Sequence, residues 1–305
     1  MTTTFTPPTT TAHPRAPHHV TPRDLAVLEL LSEHEVLSTR HIAAVFFPSV
    51  RAAQNRLAIL HHMDVVSRHA WGHPRGGQAE YLYSLGPLRA LVRPYAANRA
   101  DLAVVAAAHH DERMWRLVAN PGLRSTLAAN GLFTALIAHS RNHPATRLAR
   151  WWSGPRTAAA FARYRIRPDG HGVWQAHGRT VGFFLEGDTG DDQSLLARLA
   201  GYRHLPAAGP RYPVLLWTAD PDRRDQVRTL LAREHGPTVA VAAAADEPAG
   251  RIWYRPGRRF LLGQRRPCQL HELPSDHGPD TAANQARYPP SAWWPTGRLP
   301  QRGSP

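Results

Sequence analysis

The sequence predicts an α+β protein with two folded units joined by helices, and three observations lead to that expectation. A chain of 305 residues is long enough for two domains that each bury a core. Apolar residues recur at helical spacing up to His62, and from Val65 the pattern changes to runs typical of β-strands. After Arg163 strand-like and helical segments alternate, which predicts a small α/β domain.

Composition divides the chain into five segments. Residues 1–19 contain Thr, Pro and His with little to bury, which predicts a disordered arm. We expect a winged helix-turn-helix DNA-binding domain at 20–95, a helical connector that could form a dimer surface at 96–160, and the α/β domain at 161–262. Residues 263–305 are rich in Pro and Arg and are predicted to form a basic tail.

The N-terminal domain is predicted from three helix starts and a hairpin. Each helix is preceded by a residue that can cap it, namely Thr21, Ser38 and Ser49. Two strand-like runs within 65–85 flank a Gly-rich turn at 72–77. Three helices followed by a hairpin is the element order of a winged helix-turn-helix. In that fold the third helix enters the major groove and the wing lies along the DNA backbone.

Candidate DNA contacts lie on the third helix and on the hairpin. Four arginines and four histidines stand against one acid between Ser49 and Ala79. The alternative is a winged helix used only for protein contacts. The expected contacts are Arg51, Gln54, Asn55 and Arg56 on the helix, and Arg68, His73 and Arg75 on the hairpin.

The charge balance also indicates a nucleic-acid partner. The chain has 37 basic and 23 acidic residues, a net charge of +14, and every basic residue is an arginine. Arginine favours bidentate contacts with phosphate and guanine, so double-stranded DNA is the expected partner. Codon bias in a GC-rich genome is the alternative explanation. One cysteine and no apolar stretch of membrane-spanning length predict a cytoplasmic protein, associated with the nucleoid or a plasmid.

Three carboxylates form a candidate metal site. Asp169 lies in a predicted turn, while Glu186 and Asp188 stand two apart at a strand end, where alternation places both on one face. Such an oxygen-rich set suits Mg²⁺ or Mn²⁺, although no cofactor is certain. Asp169-Gly170 is also an ordinary turn pair. Glu186 follows an apolar run, so we expect it to be buried and to need a metal, an arginine or a proton.

Segments in both halves of the chain resemble one family. The start TPRDLAVLELL, the hairpin end YLYSLGP and the block VGFFLEGDTG are similar to the actinobacterial replication-relaxation family. Its members occur on plasmids and integrated mobile elements. The resemblance covers roughly residues 20–262, and it implies a DNA-binding protein of plasmid replication, DNA relaxation or transfer. A second copy of the chain or other replication or transfer proteins would then be its partners.

The C-terminal half also resembles the restriction-endonuclease-like fold, whose nucleases carry a PD…(D/E)-x-K signature. That resemblance implies Asp169, Glu186 and Asp188 as catalytic and metal-binding residues, with Asp188 where the signature has lysine. Arg198 is the first candidate for the missing basic residue, and Arg203 is the second. Arginine can stabilise charge but cannot act as a base. A metal-dependent nuclease is therefore one alternative function, and a ligand-sensing winged-helix transcription regulator is another.

Overall fold

The computed structural model describes residues 20–71, 80–87, 116–117, 119–120, 122–205, 211–232, 236–256 and 266–275. Within these ranges the chain forms seven α-helices and two β-sheets, so the predicted α+β class is confirmed. Several predicted features lie outside the described residues. They are the arm at 1–19, the wing tip at 72–77 with His73 and Arg75, the helix at 102–115, the strand at 259–262 and most of the tail.

The N-terminal unit consists of three helices and a three-stranded antiparallel sheet. Its elements are α1 (Pro22–His34), β1 (Leu37–Ser38), α2 (Thr39–Phe46), α3 (Val50–His62), β2 (Val66–Trp71) and β3 (Glu80–Leu85). The central strand β3 pairs with β1 on one side and β2 on the other. The three predicted caps are confirmed, since each side chain accepts a hydrogen bond from the backbone N–H three residues later.

The C-terminal unit is built on a five-stranded mixed sheet. The chain continues through α4 (Leu123–Asn142), β4 (Thr146–Ser153), α5 (Gly154–Ala160), β5 (Gly170–Ala176), β6 (Arg179–Gly187), α6 (Asp192–Gly201), β7 (Val214–Thr218), α7 (Pro221–Leu231) and β8 (Val239–Ala243). The strands lie side by side in chain order. Strands β4 to β6 are antiparallel, whereas β6, β7 and β8 are parallel. The parallel pairing predicted from the apolar run at 214–217 is confirmed.

The α/β unit begins earlier than the sequence predicted. Strand β4 lies within the segment expected to be a helical connector, and it forms the edge of the sheet beside β5. Its buried residues Leu148, Trp151 and Trp152 do not alternate simply, because the register shifts between Leu148 and Arg150. A strand interrupted in this way lacks the period of two on which a sequence-based prediction depends.

Two further segments differ from the prediction. The strand expected near 163–167 is instead a 3₁₀ turn (Ala162–Tyr164) followed by Arg165 in a left-handed conformation. Residues 266–275, which the sequence placed in the tail, pack onto the α/β unit. Cys268 forms a β-bridge with Trp253, and Leu270 and Leu273 are fully buried. These few apolar residues were hidden by the Pro- and Arg-rich composition around them.

Helix α4 joins the two units through one shared core. A continuous cluster of buried apolar side chains extends from α1, α2 and α3 across α4 to the five-stranded sheet. Phe133 of α4 stacks on Trp151 and Phe183, with ring centroids 5.3 and 5.8 Å apart. Gly172 allows this approach, since a Cβ at that position would lie 2.3 Å from the Phe183 ring.

Polar contacts from α4 also hold the turn between α2 and α3. The Arg141 guanidinium donates to the carbonyl oxygens of Ala44 and Phe47 at 2.8 and 3.0 Å. Asn130 donates to the Val36 carbonyl at 2.8 Å. Val36 lies between α1 and β1, whereas Ala44 and Phe47 lie at the end of α2. Arg141, in the C-terminal half of the chain, therefore helps to position the start of α3. No helix in the described part of the chain has both the length and the apolarity of a membrane span.

Candidate functional site

Helix α3 presents a polar face to solvent. Ala53, Leu57 and Leu60 are buried in the core at helical spacing, which leaves Arg51, Gln54 and Asn55 exposed on the other side. The helix contains no acidic residue. Glutamine and asparagine can form bidentate hydrogen bonds with adenine, and arginine with guanine or phosphate, so this face exposes residue types that are able to contact the edges of DNA bases.

Exposed apolar side chains flank these polar groups. Val50 and Ile59 are 40% and 47% exposed on the same helix. Apolar side chains on a groove-reading helix can contact the methyl group of thymine. Three of the four predicted helix contacts therefore lie on one accessible surface with apolar neighbours.

The fourth predicted contact, Arg56, is directed inward. Its Nε and Nη2 atoms donate to the two carboxylate oxygens of Asp24, at 2.9 and 2.5 Å, and Asp24 is fully buried in α1. Burial raises the pKa of Asp24, but hydrogen bonds from Arg56 and Thr21 outweigh it, so the pKa lies below its usual value. Arg56 therefore links α3 to α1. The two residues are 32 positions apart, so the spacing of residues along α3 could not predict this contact.

The described part of the hairpin adds one of the predicted arginine contacts. Arg68 is exposed on β2, and its guanidinium carbon lies 4.5 Å from the centroid of the Tyr81 ring. Tyr81 is itself 40% exposed. This cation–π contact orients the guanidinium, which also forms a hydrogen bond with the Tyr83 side chain.

A second candidate site lies at the end of β6, where Asp169 and Glu186 meet one arginine. The Nη2 atom of Arg198 donates to Asp169 Oδ2 at 2.7 Å and to Glu186 Oε2, and its Nη1 atom donates to the Gly187 carbonyl at 3.1 Å. The Tyr202 hydroxyl donates to the other oxygen of Glu186. We name Asp169, Glu186, Arg198 and Tyr202 the arginine–carboxylate cluster.

Local structure explains how this cluster forms. Arg198 and Tyr202 are four residues apart along α6 and the 3₁₀ turn that follows it, so they share one side of the helix. Leu195 and Leu199 pack α6 against the sheet. Gly187 lets the Ser125 hydroxyl approach the end of the strand, since a Cβ there would lie 2.5 Å from that oxygen and would require the serine side chain to move.

Glu186 and Tyr202 are both buried, at 1% and 3% exposure. Burial raises the pKa of Tyr202 far above its usual value, and the Arg198 charge opposes this only in part. Tyr202 therefore remains protonated and acts as a hydrogen-bond donor. Of the three partners that the sequence left open for a buried Glu186, the structure supplies an arginine.

Asp188 belongs to a different ion pair. Arg223 donates from Nε and Nη2 to the two Asp188 oxygens at 2.7 and 3.0 Å, and from Nη1 to Asp192 at 2.7 Å. The hydrogen bonds with Asp188 raise the pKa of Arg223 above its usual value, against the effect of burial. Because β6 ends at Gly187, strand alternation does not hold Asp188 beside Glu186.

The arrangement does not fit a divalent cation held by all three carboxylates. Such a cation requires their oxygens to converge on one point. Oxygens of Asp169 and Glu186 converge on a guanidinium nitrogen, whereas Asp188 is bound to Arg223. In the part of the chain that the structure describes, no group of three or more His, Cys, Asp and Glu residues could hold a metal.

Comparison with known proteins identifies the family. A family model described as replication-relaxation matches residues 28–214, which is more than half of the chain. The matched range includes α3, α4 and the arginine–carboxylate cluster. Neither the curated proteins nor the solved structures gave a match. On the evidence of the family match, the chain belongs to the replication-relaxation family.

Proposed function

We propose that this chain is a DNA-binding protein of a plasmid or other mobile element, acting in replication, DNA relaxation or transfer. The family description supports the replication and relaxation part. The observation that carries DNA binding is the acid-free exposed face of α3, with Arg51, Gln54 and Asn55. Residues 20–87 are proposed to act as a winged helix-turn-helix on double-stranded DNA.

The order and packing of the elements support this proposal. Helix α3 follows α2 through a short turn that Arg141 holds, and the β2–β3 hairpin follows α3 directly. A groove-reading helix must be rigidly placed relative to the hairpin if both are to contact one duplex. Arg68 would add a phosphate contact beside the groove, and the net charge of +14 favours association with a polyanion.

Replacing Arg51 by Ala is expected to weaken binding to duplex DNA and to lower the log–log salt slope by about one unit, since one phosphate contact is lost. Gln54→Ala should weaken binding to a preferred site about 5- to 100-fold with an unchanged slope, because a base contact releases no counterion. Fluorescence anisotropy at several salt concentrations, with duplexes selected from a random pool, measures both quantities.

Arg179→Ala is the matched control for Arg51→Ala. It removes the same charge from an exposed position on β6, in the other unit of the protein. If Arg51→Ala and Arg179→Ala bind DNA with the wild-type affinity and slope, α3 is not the DNA-contacting element.

A metal-dependent nuclease is the second candidate function, because the carboxylates of Asp169 and Glu186 lie close enough together to contact one atom, which in this structure is a nitrogen of Arg198. Because a guanidinium already occupies that point, we expect wild-type protein to leave supercoiled and linear DNA intact in Mg²⁺ or Mn²⁺. Its melting temperature should be equal in Mn²⁺ and in EDTA. Nicking that is present in wild type and absent in Asp169→Asn with Glu186→Gln would establish the nuclease instead.

A further inference from the structure

The segment of chain that connects β4 to β5 carries a basic surface, which is separate from the α3 site. From Asn142 to Pro168 the sequence contains six arginines and no acidic residue. Three of these arginines follow α5 in close succession and are exposed. We name Arg163, Arg165 and Arg167 the arginine loop.

Buried apolar residues fix the arginine loop on the α/β unit. Ile166 and Pro168 are buried, and Ile166 lies in one apolar cluster with Phe184 and Leu199. This alternation leaves Arg165 and Arg167 on the outer side. Their Cα atoms, two residues apart, are separated by at most about 7 Å. A DNA strand carries one phosphate per about 3.4 Å of helix axis, so neighbouring phosphates are within reach of both side chains.

The backbone at Arg165 is a second, independent observation. Arg165 has φ of 57°, in the left-handed region that favours glycine and asparagine. The Arg165 backbone N–H donates to the Ala162 carbonyl, but within the described residues neither the Arg165 nor the Arg167 side chain has a hydrogen-bond or ion-pair partner. The exposed Arg165 side chain does not pack in the core, and glycine would adopt this backbone conformation with less strain. An arginine at this position therefore indicates a role in binding and not in folding.

We propose that the arginine loop is a second DNA-contacting surface, which binds backbone phosphates without reading sequence. The proposal takes its ligand class from DNA binding by α3 but rests on different residues in the other unit. Guanidinium groups bind phosphate oxygens bidentately, and contacts of this kind position a duplex without specifying its sequence. The loop ends beside Asp169, whose charge is partly balanced by Arg198, so the cluster offers little repulsion to a phosphate there.

The test compares two triple variants of the full chain. The loop variant carries Arg163→Gln, Arg165→Asn and Arg167→Gln, with asparagine chosen because it tolerates the left-handed conformation. The control carries Arg124→Gln, Arg179→Gln and Arg255→Gln, which removes three exposed charges elsewhere. We expect the log–log salt slope for a long duplex to fall by about two to three units in the loop variant and by less than about one in the control.

Arg51→Ala in the same assay separates this inference from the proposed function. A loop variant that binds like the control, while Arg51→Ala is weakened, overturns the arginine loop and keeps α3. A weakened loop variant with an unaffected Arg51→Ala keeps the loop and overturns α3. Wild-type binding by all variants overturns both. A melting temperature within about 2 °C of wild type establishes that each variant is folded.

Discussion

Replacing Arg198 by Ala is expected to lower the free energy of unfolding by about 3–5 kcal/mol, because it leaves a buried carboxylate without its cation. Glu186 is 1% exposed and would keep only the hydrogen bond from the Tyr202 hydroxyl. Asp169 is more accessible and would keep the Gly187 N–H, 2.7 Å from its Oδ2 atom. Urea unfolding at neutral pH, followed by circular dichroism, measures the change.

A second substitution tests whether charge is the cause of that loss. Adding Glu186→Gln to Arg198→Ala should restore much of the stability, since a neutral amide costs less to bury and can still accept the Tyr202 hydrogen bond. Arg179→Ala, at an exposed position, should change the free energy of unfolding by less than about 0.5 kcal/mol. A similarly small effect of Arg198→Ala, or no recovery in the double variant, would contradict the role of Arg198 as counter-ion.

The features that were predicted correctly from the sequence are determined by residues that lie close together in the chain. Thr21, Ser38 and Ser49 start helices through hydrogen bonds that span three residues, so the signal is contained in a short segment. The burial of Glu186 was also predictable, because it ends an apolar run. In the same way the run at 214–217 predicted a buried parallel strand.

The features that sequence did not predict depend on distant partners. Arg56 and Asp24 are 32 residues apart, and Arg223 and Asp188 are 35 apart. The local sequence around each arginine does not indicate which acidic residue it will pair with, because the pairing depends on how the helices pack in the folded protein. For this reason the three predicted carboxylates do not meet at one point. Asp188 forms an ion pair with Arg223 of α7 instead. The resemblance to a nuclease signature had singled out Arg198, and the structure pairs its guanidinium with Asp169 and Glu186.

Replacing Asp24 by Asn is expected to lower the free energy of unfolding by about 3 kcal/mol at pH 7, because Arg56 loses the buried carboxylate that binds both of its donor groups. Asp24 is fully buried, and it also accepts a hydrogen bond from the Thr21 backbone at 2.7 Å, which starts α1. Urea unfolding of both proteins at pH 7, 5, 4 and 3 measures the difference. Asp222→Asn, at an exposed position in α7, is the control.

The pH dependence has a definite sign. The pKa of Asp24 in the folded protein lies below its usual value, so its contribution to stability is complete above about pH 4 and is lost as the pH falls through the folded pKa. The difference between wild type and Asp24→Asn should therefore shrink below pH 4. A difference that stays constant down to pH 3, or no difference at pH 7, would mean that Arg56 is not held by Asp24. Arg56 would then return to the exposed face of α3 as a fourth candidate contact with DNA.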